Sequence, residues 1–375
     1  MNILFISKNS IDAGFGTETL VFRYSDYFLK GNHVSIITTN LGKKNVTFSG
    51  ELASKGVDVF EIRVIRRPFI YHPADVVVLL RRMMKADIIY VFEPPPGLSP
   101  LIALSAIMTK RKTVRGRHNP FRYESDIDGR APRHLGMVRL YESLNLFFDR
   151  LFTVHHVQNS IHRDFLIKNG FRRVVEIPAC IDLSGYRPSE KFDRFTVLFL
   201  GRMNYHKGTD RIPKIVQTIN EETDKIRILI AGSGIFEEII RRELAGTKNV
   251  EFLGLVDEKT KLEMLSRCHV LVSPTRVEAF MLTGIEAMAS GTPVISFPVP
   301  GPSDYIKDGV NGFLCDDERC CALKTIELFN AWQTGNYSRM SSESRKTGER
   351  YSCDNILPML KELFQSVVNC DSKLE

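Results

Sequence analysis

A chain of 375 residues with 43% apolar and 25% charged residues is long enough for two domains and has an ordinary globular composition, which excludes a small binding module, a collagen-like chain and an intrinsically disordered one. Its formal charge of +7 is uneven, with a surplus of cations in residues 1–183 and a slight deficit in residues 184–375. The basic excess is concentrated between Arg63 and Arg150, in Arg66-Arg67, Arg81-Arg82 and the run Lys110-Arg111-Lys112, and suits phosphates or an anionic membrane surface. It carries no recognised nucleic-acid motif, so nucleic acid is not an expected partner.

In chain order, MNILFIS reads as a first strand, since it lacks the basic start and small-residue cleavage site of a signal peptide. The segment Leu98 to Met108 is too short for a membrane span and contains Pro100, which predicts a buried helix. Seven scattered cysteines without CxxC spacing fit free thiols in a reducing compartment, and the expected location is the cytoplasm. Strands are predicted at 2–7, 33–38, 57–62, 87–92, 112–116, 150–154 and 173–177. The series restarts at 195–201, 226–231, 250–253, 270–273 and 292–297. Such runs alternating with amphipathic stretches predict two parallel α/β sheets in tandem. The polar segment with Pro178, Gly185 and Pro188 is the expected hinge, which divides the chain into 1–184 and 185–352. Residues 353–375 are expected to close the chain as a helix packing back on the first domain.

Chemistry-bearing residues cluster where the second series of strands ends. The strand TVLFLG runs into Arg202 and Lys207-Gly208, a planar fork and a point charge suited to phosphate oxygens. IRILIAG ends in Gly232-Ser233-Gly234, where a backbone can come close to a ligand, and a further strand ends in Gly254-Leu255-Val256. After Ser273-Pro274-Thr275, apolar spacing at Leu282, Ile285, Met288 and Ala289 predicts a helix from near Phe280 to Gly291. Glu278 precedes it and Glu286 lies within it, so both border an anion held at the helix N-terminus.

In this order, LFLGRMNYHKG, LIAGSG, NVEFLGLV, SPTRVEAFMLTGIEAMASGTPVI and GPSDYIKDGVNGFL resemble the donor domain of family 4 retaining glycosyltransferases. The resemblance implies the GT-B fold, two facing Rossmann-like domains with a cleft between them. It implies that Arg202 and Lys207 hold a donor diphosphate, Glu286 the ribose hydroxyls and Glu278 the transferred sugar. The backbone at Leu282 and Thr283 would help with the phosphates, Leu255 and Val256 would border the base, and Phe280 and Met281 would lie along the donor. Ala279 and Met281 depart from the glycines frequent in the family, and Asp304 stands where glutamate is common.

In the first half, Asp12-Ala-Gly14-Phe-Gly16-Thr-Glu18 follows the first strand but lacks the third glycine of a dinucleotide fingerprint. By the resemblance, Gly14 and Gly16 form the loop under which acceptor and donor diphosphate meet, and His118 matches an active-site histidine near the donor sugar. His155-His156 reads as a strand-end feature, Asp126-Ile127-Asp128 as a solvated loop rather than a metal-binding DxD element, and residues 74–85 as a packed helix. The implied activity is metal-independent retaining transfer of a hexosyl group from a nucleotide-diphosphate sugar to a saccharide, glycolipid or lipid-linked acceptor. Arg202, Lys207, Glu278 and His118 would act in it without a cofactor, with peripheral contact to the inner membrane surface through the basic half. The alternative is a non-catalytic GT-B subunit or sugar-nucleotide sensor.

Overall fold

The structure, a computed structural model, describes residues 1–13, 16–42, 46–66, 70–95, 97–118, 144 and 146–369. These divide into two compact units, one drawn from 1–118, 146–179 and 354–369, the other spanning 180–353. The first is built on a parallel seven-stranded sheet of β1 (Asn2–Ile6), β2 (His33–Thr39), β3 (Asp58–Ile62), β6 (Ile88–Val91), β7 (Lys112–Arg117), β8 (Val154–Val157) and β9 (Val174–Glu176). A short antiparallel hairpin, β4 (Val64–Arg66) with β5 (Ile70–Tyr71), stands apart. The sheet order is β3-β2-β1-β6-β7-β8-β9. Parallel strands with both faces covered read as continuous apolar runs, and all four residues of β6 are buried. The helix Cys353–Asn369 packs on this unit, where Phe364 stacks on Phe28 at 4.8 Å and meets Tyr90 at 5.7 Å.

The second unit carries a parallel six-stranded sheet of β10 (Thr196–Leu200), β11 (Arg227–Ala231), β12 (Val250–Gly254), β13 (Val270–Ser273), β14 (Val294–Ser296) and β15 (Gly312–Leu314), in the order β12-β11-β10-β13-β14-β15. The helix Ile212–Glu222 shows the local logic: Pro213 opens it, and Ile212, Ile215, Val216 and Ile219 fall on one buried face.

Three expectations need correction. The sixth strand lies at Val154–Val157 rather than 150–154, because residues 150–152 are held in turns by Arg150 N–H to Phe147 O, Leu151 N–H to Phe148 O and Phe152 N–H to Asp149 O. His155 and His156 therefore lie within a buried strand instead of after one. The β4–β5 hairpin and β15 escaped sequence reading, being only two or three residues long. The helix expected from near Phe280 begins at Leu282 and ends at Ala289, because Met281 takes a left-handed conformation, φ 59° and ψ 71°, that a helix cannot continue through. Among the described residues, no helix is long and apolar enough to cross a membrane.

Candidate active site

In the second unit, β10, β11 and β12 step outward on one side of the sheet, and the chain then returns to place β13 on the other side of β10. The switch point is therefore between β10 and β13, where open α/β sheets leave a crevice at the carboxyl ends of their strands. Two loops leave there, 201–208 and 274–281, and they interlock. Lys207 Nζ forms an ion pair with Glu278 Oε1. The Arg276 guanidinium lies 3.8 Å from the Tyr205 ring and donates to Asp210 Oδ1 at 2.5 Å and Oδ2 at 2.7 Å. Arg276 N–H and Thr275 Oγ1 both donate to His206 O, at 2.8 and 3.0 Å. The bidentate pair and the stacked cation hold the loop that carries Lys207 against the loop that carries Glu278.

Glycine is required where these loops touch. Gly208 has φ 62°, and a Cβ there would come 1.8 Å from Pro274 O. Gly208→Ala is expected to destabilise the protein by at least about 2 kcal/mol, combining left-handed strain with a backbone clash. Chemical denaturation checks this; an unchanged midpoint would contradict the interlock. Gly232 and Gly234 have φ 129° and 155°, and Cβ atoms there would lie 1.9 Å from Gly201 O and 2.3 Å from Met203 O. The close approach they permit is to the neighbouring β10 loop.

Arg202 is exposed at the start of that loop. Leu255, 81% exposed, and half-buried Val256 follow β12. The helix Leu282–Ala289 begins with half-buried Leu282 and Thr283. Phe280 and Met281 are 3% exposed, which makes their side chains part of the core. The Phe280 ring packs on Tyr305 at 5.8 Å and Tyr351 at 5.5 Å. Met281 folds back over Gly284, where a Cβ would lie 2.5 Å from Met281 Cε. Its left-handed backbone costs about 1 kcal/mol or more; Tyr305 Oη and Gly284 N–H donate to its carbonyl at 3.3 and 3.0 Å and hold it there. Asp304 Oδ2 accepts from Gly301 N–H at 3.3 Å in a capping box.

Glu286 belongs to a separate network. Tyr186 Oη donates to its Oε1 at 2.8 Å, and Lys261 Nζ lies 3.3 Å from its Oε2 and 2.9 Å from Glu258. Tyr186, Lys261, Arg276 and Asp210 went unremarked in the sequence, since their partners lie up to 100 residues away and no local spacing announces them.

His118 follows β7 in the first unit and is 8% exposed. Its ring is stacked on Phe92 at 4.9 Å and hydrogen-bonded to Tyr90. Nearby, Asp149 lies between Arg115 at 3.5 Å and Arg117 at 2.7 Å. Burial opposes ionisation of Asp149, yet Arg117 and Arg115 hold its carboxyl below the usual range. Gly16 is exposed at the start of helix Gly16–Phe28, above the buried Asp12, which accepts from Ser49 N–H at 2.8 Å and Ser49 Oγ at 2.7 Å. Gly14, Asp126 and Asp128 lie outside the described residues.

Residues 186–345 match the family model described as glycosyl transferases group 1. The matched segment spans the whole interlocked site, from Tyr186 to Glu286. An uncharacterized glycosyltransferase of Methanocaldococcus jannaschii is 30% identical over 44% of this chain and 43% of its own length. The Mycobacterium leprae phosphatidyl-myo-inositol mannosyltransferase is 27% identical over 56% of this chain and 55% of its own. The matches thus span about half the length of these curated relatives. Among solved structures, Anabaena HepE in complex with UDP and glucose is similar over 98% of this chain and 100% of its own, with a TM-score of 0.77 at 17% identity. Sucrose-phosphate synthase from Thermosynechococcus elongatus matches 99% of this chain and 100% of its own, with a TM-score of 0.73 at 15% identity. The fold is GT-B, two Rossmann-like domains in tandem.

Proposed function

We propose that the protein is a metal-independent, retaining glycosyltransferase of family 4 that moves a hexosyl group from a nucleotide-diphosphate sugar to a saccharide, glycolipid or lipid-linked acceptor. The observation that carries this reading is the Lys207–Glu278 pair, clamped by Arg276 and Asp210 at the switch point of a group 1 domain, four residues ahead of the helix Leu282–Ala289. Breaking a sugar–diphosphate bond leaves negative charge on the leaving group. A preorganised lysine, Arg202 and the backbone N–H groups of Leu282 and Thr283 at the start of the helix are suited to stabilise it. Glu278, already salt-bridged, serves as a hydroxyl acceptor for the sugar, and Glu286 as the acceptor for the ribose hydroxyls. No carboxylate is assigned as nucleophile, so the transfer proposed is front-side, within an ion pair whose leaving phosphate takes the acceptor's proton. His118 orients the sugar.

A glycolipid or lipid-linked acceptor is supported by relatives named for phosphatidylinositol, the Mycobacterium leprae mannosyltransferase and a component of the human phosphatidylinositol N-acetylglucosaminyltransferase among them. A peripheral, cytoplasm-facing membrane contact is supported by exposed Leu104, Ile107 and Met108 beside exposed Lys110, an arrangement that pairs apolar surface with positive charge. The sensor reading draws its support from Met281, which occupies a left-handed position with a packed side chain.

The test is a panel of sugar nucleotides, with and without chelator, followed by thermal shift and by nucleotide release in the presence of membrane extract. Saturable stabilisation with chelator-insensitive release is the expected result and identifies the donor. Stabilisation without release would favour the sensor; release abolished by chelator would overturn metal independence.

A further inference from the structure

A buried chain of hydrogen bonds runs from His118 into the first unit. His118 Nε2 lies 2.7 Å from Tyr90 Oη, Tyr90 Oη lies 2.6 Å from His156 Nδ1, and His156 Nε2 lies 2.7 Å from Ile177 O. Its far end fixes the direction of every bond. A backbone carbonyl only accepts, so His156 Nε2 carries a proton. Burial pushes His156 down to about 4, so at neutral pH its ring is uncharged and Nδ1 holds a lone pair. Tyr90 must then donate to Nδ1, which leaves its oxygen to accept from His118 Nε2. His118 is therefore protonated on Nε2, with its lone pair on the buried Nδ1.

We propose that Tyr90 and His156 are positioning residues, which hold the His118 ring in this single neutral tautomer and orientation for the donor sugar. The role rests on the glycosyltransferase reading; the tautomer does not. Burial, His156 and Arg115 all depress the His118 pKa, outweighing the Gln158 carboxamide, which keeps the ring uncharged. The strand opposite is shaped to the relay. Gly116 pairs with His156 across β7 and β8, and a Cβ at Gly116 would lie 2.4 Å from Tyr90 Oη and 2.5 Å from His118 Nε2. Gly116 has no positive φ that would require glycine, so the space occupied by the relay is its reason.

The test is Tyr90→Phe in the full-length protein. The ring keeps its contacts with Phe5 at 5.9 Å, Phe92 at 4.6 Å and Phe364, so folding is preserved while both hydrogen bonds are lost. Nitrogen-15 NMR of the imidazoles is expected to show His118 protonated on Nε2 in the parent and both tautomers populated in the variant. Transfer is expected to lose about tenfold in kcat, the size of one net hydrogen bond to a positioned group, with donor KM little changed. A parent His118 protonated on Nδ1 would overturn the relay. A variant with full kcat would overturn the positioning role. A parent that shows the expected tautomer yet transfers from no donor would support the relay and overturn the transferase reading.

Discussion

Lys207→Ala is expected to lower the turnover of the sugar-nucleotide donor by about 10²–10³-fold, the loss seen when one preorganised donor to a developing anion is removed. The size follows from its setting. Lys207 sits on a loop held by Arg276 and Asp210, so its charge is in place before the bond breaks and needs no reorganisation. The same substitution strands Glu278, which is only 9% exposed and loses its ion-pair partner. Stability and catalysis are separated by the double variant Lys207→Ala with Glu278→Gln, which removes the uncompensated charge. It should regain melting temperature without regaining turnover. Steady-state kinetics at saturating donor provide the check, and a Lys207→Ala enzyme with more than a third of parental kcat would place the leaving-group charge elsewhere.

Acid should destabilise the first unit well above the pH at which its carboxylates titrate. His155 and His156 are buried and neutral, held down by burial to about 3 and about 4, whereas in the unfolded chain each titrates near its ordinary value of 6.5. Between those limits the unfolded chain binds more protons than the fold does, so stability rises with pH. The contribution is complete above about pH 6.5 and is lost as pH falls toward 4. At pH 5 each residue costs about 2 kcal/mol, and the two together consume a large share of the 5–15 kcal/mol typical of a folded domain. Melting curves at pH 7.5, 6 and 5 should show a fall of roughly 10 °C across the series. A flat profile would mean that these imidazoles are not buried as neutral rings. His118, depressed in the same direction, adds to the trend.

Both predictions depend on contacts between residues distant in sequence. Lys207 and Glu278 are 71 positions apart, and Tyr90 and His156 are 66 apart. The first pair is brought together by strands that are neighbours in the sheet without being neighbours in the chain, β10 with β13; the second reaches across β7, which lies between β6 and β8 in the sheet. A crossover connection thus turns two strand-end loops into one site.

The sequence by itself determined the class of architecture, because alternation of apolar strands and amphipathic helices is a local property repeated along the chain. It also marked the strand ends at Gly201, Gly232, Gly254 and Pro274, since glycine, proline and charge interrupt an apolar run wherever a parallel strand leaves its sheet. The left-handed turn at Met281 was not legible, because methionine carries no preference for it; Tyr305 and Gly284 impose it from outside the segment. Nor was the place of His155 and His156, which β8 buries: Tyr90 on β6 and Ile177 O beyond β9 satisfy the nitrogens of His156, and the His155 ring packs edge-on against Phe171. Only the tertiary structure decided which cation meets which carboxylate and which imidazole nitrogen holds the proton. Those outcomes depend on distances of about 3 Å between groups that the chain itself keeps dozens of residues apart.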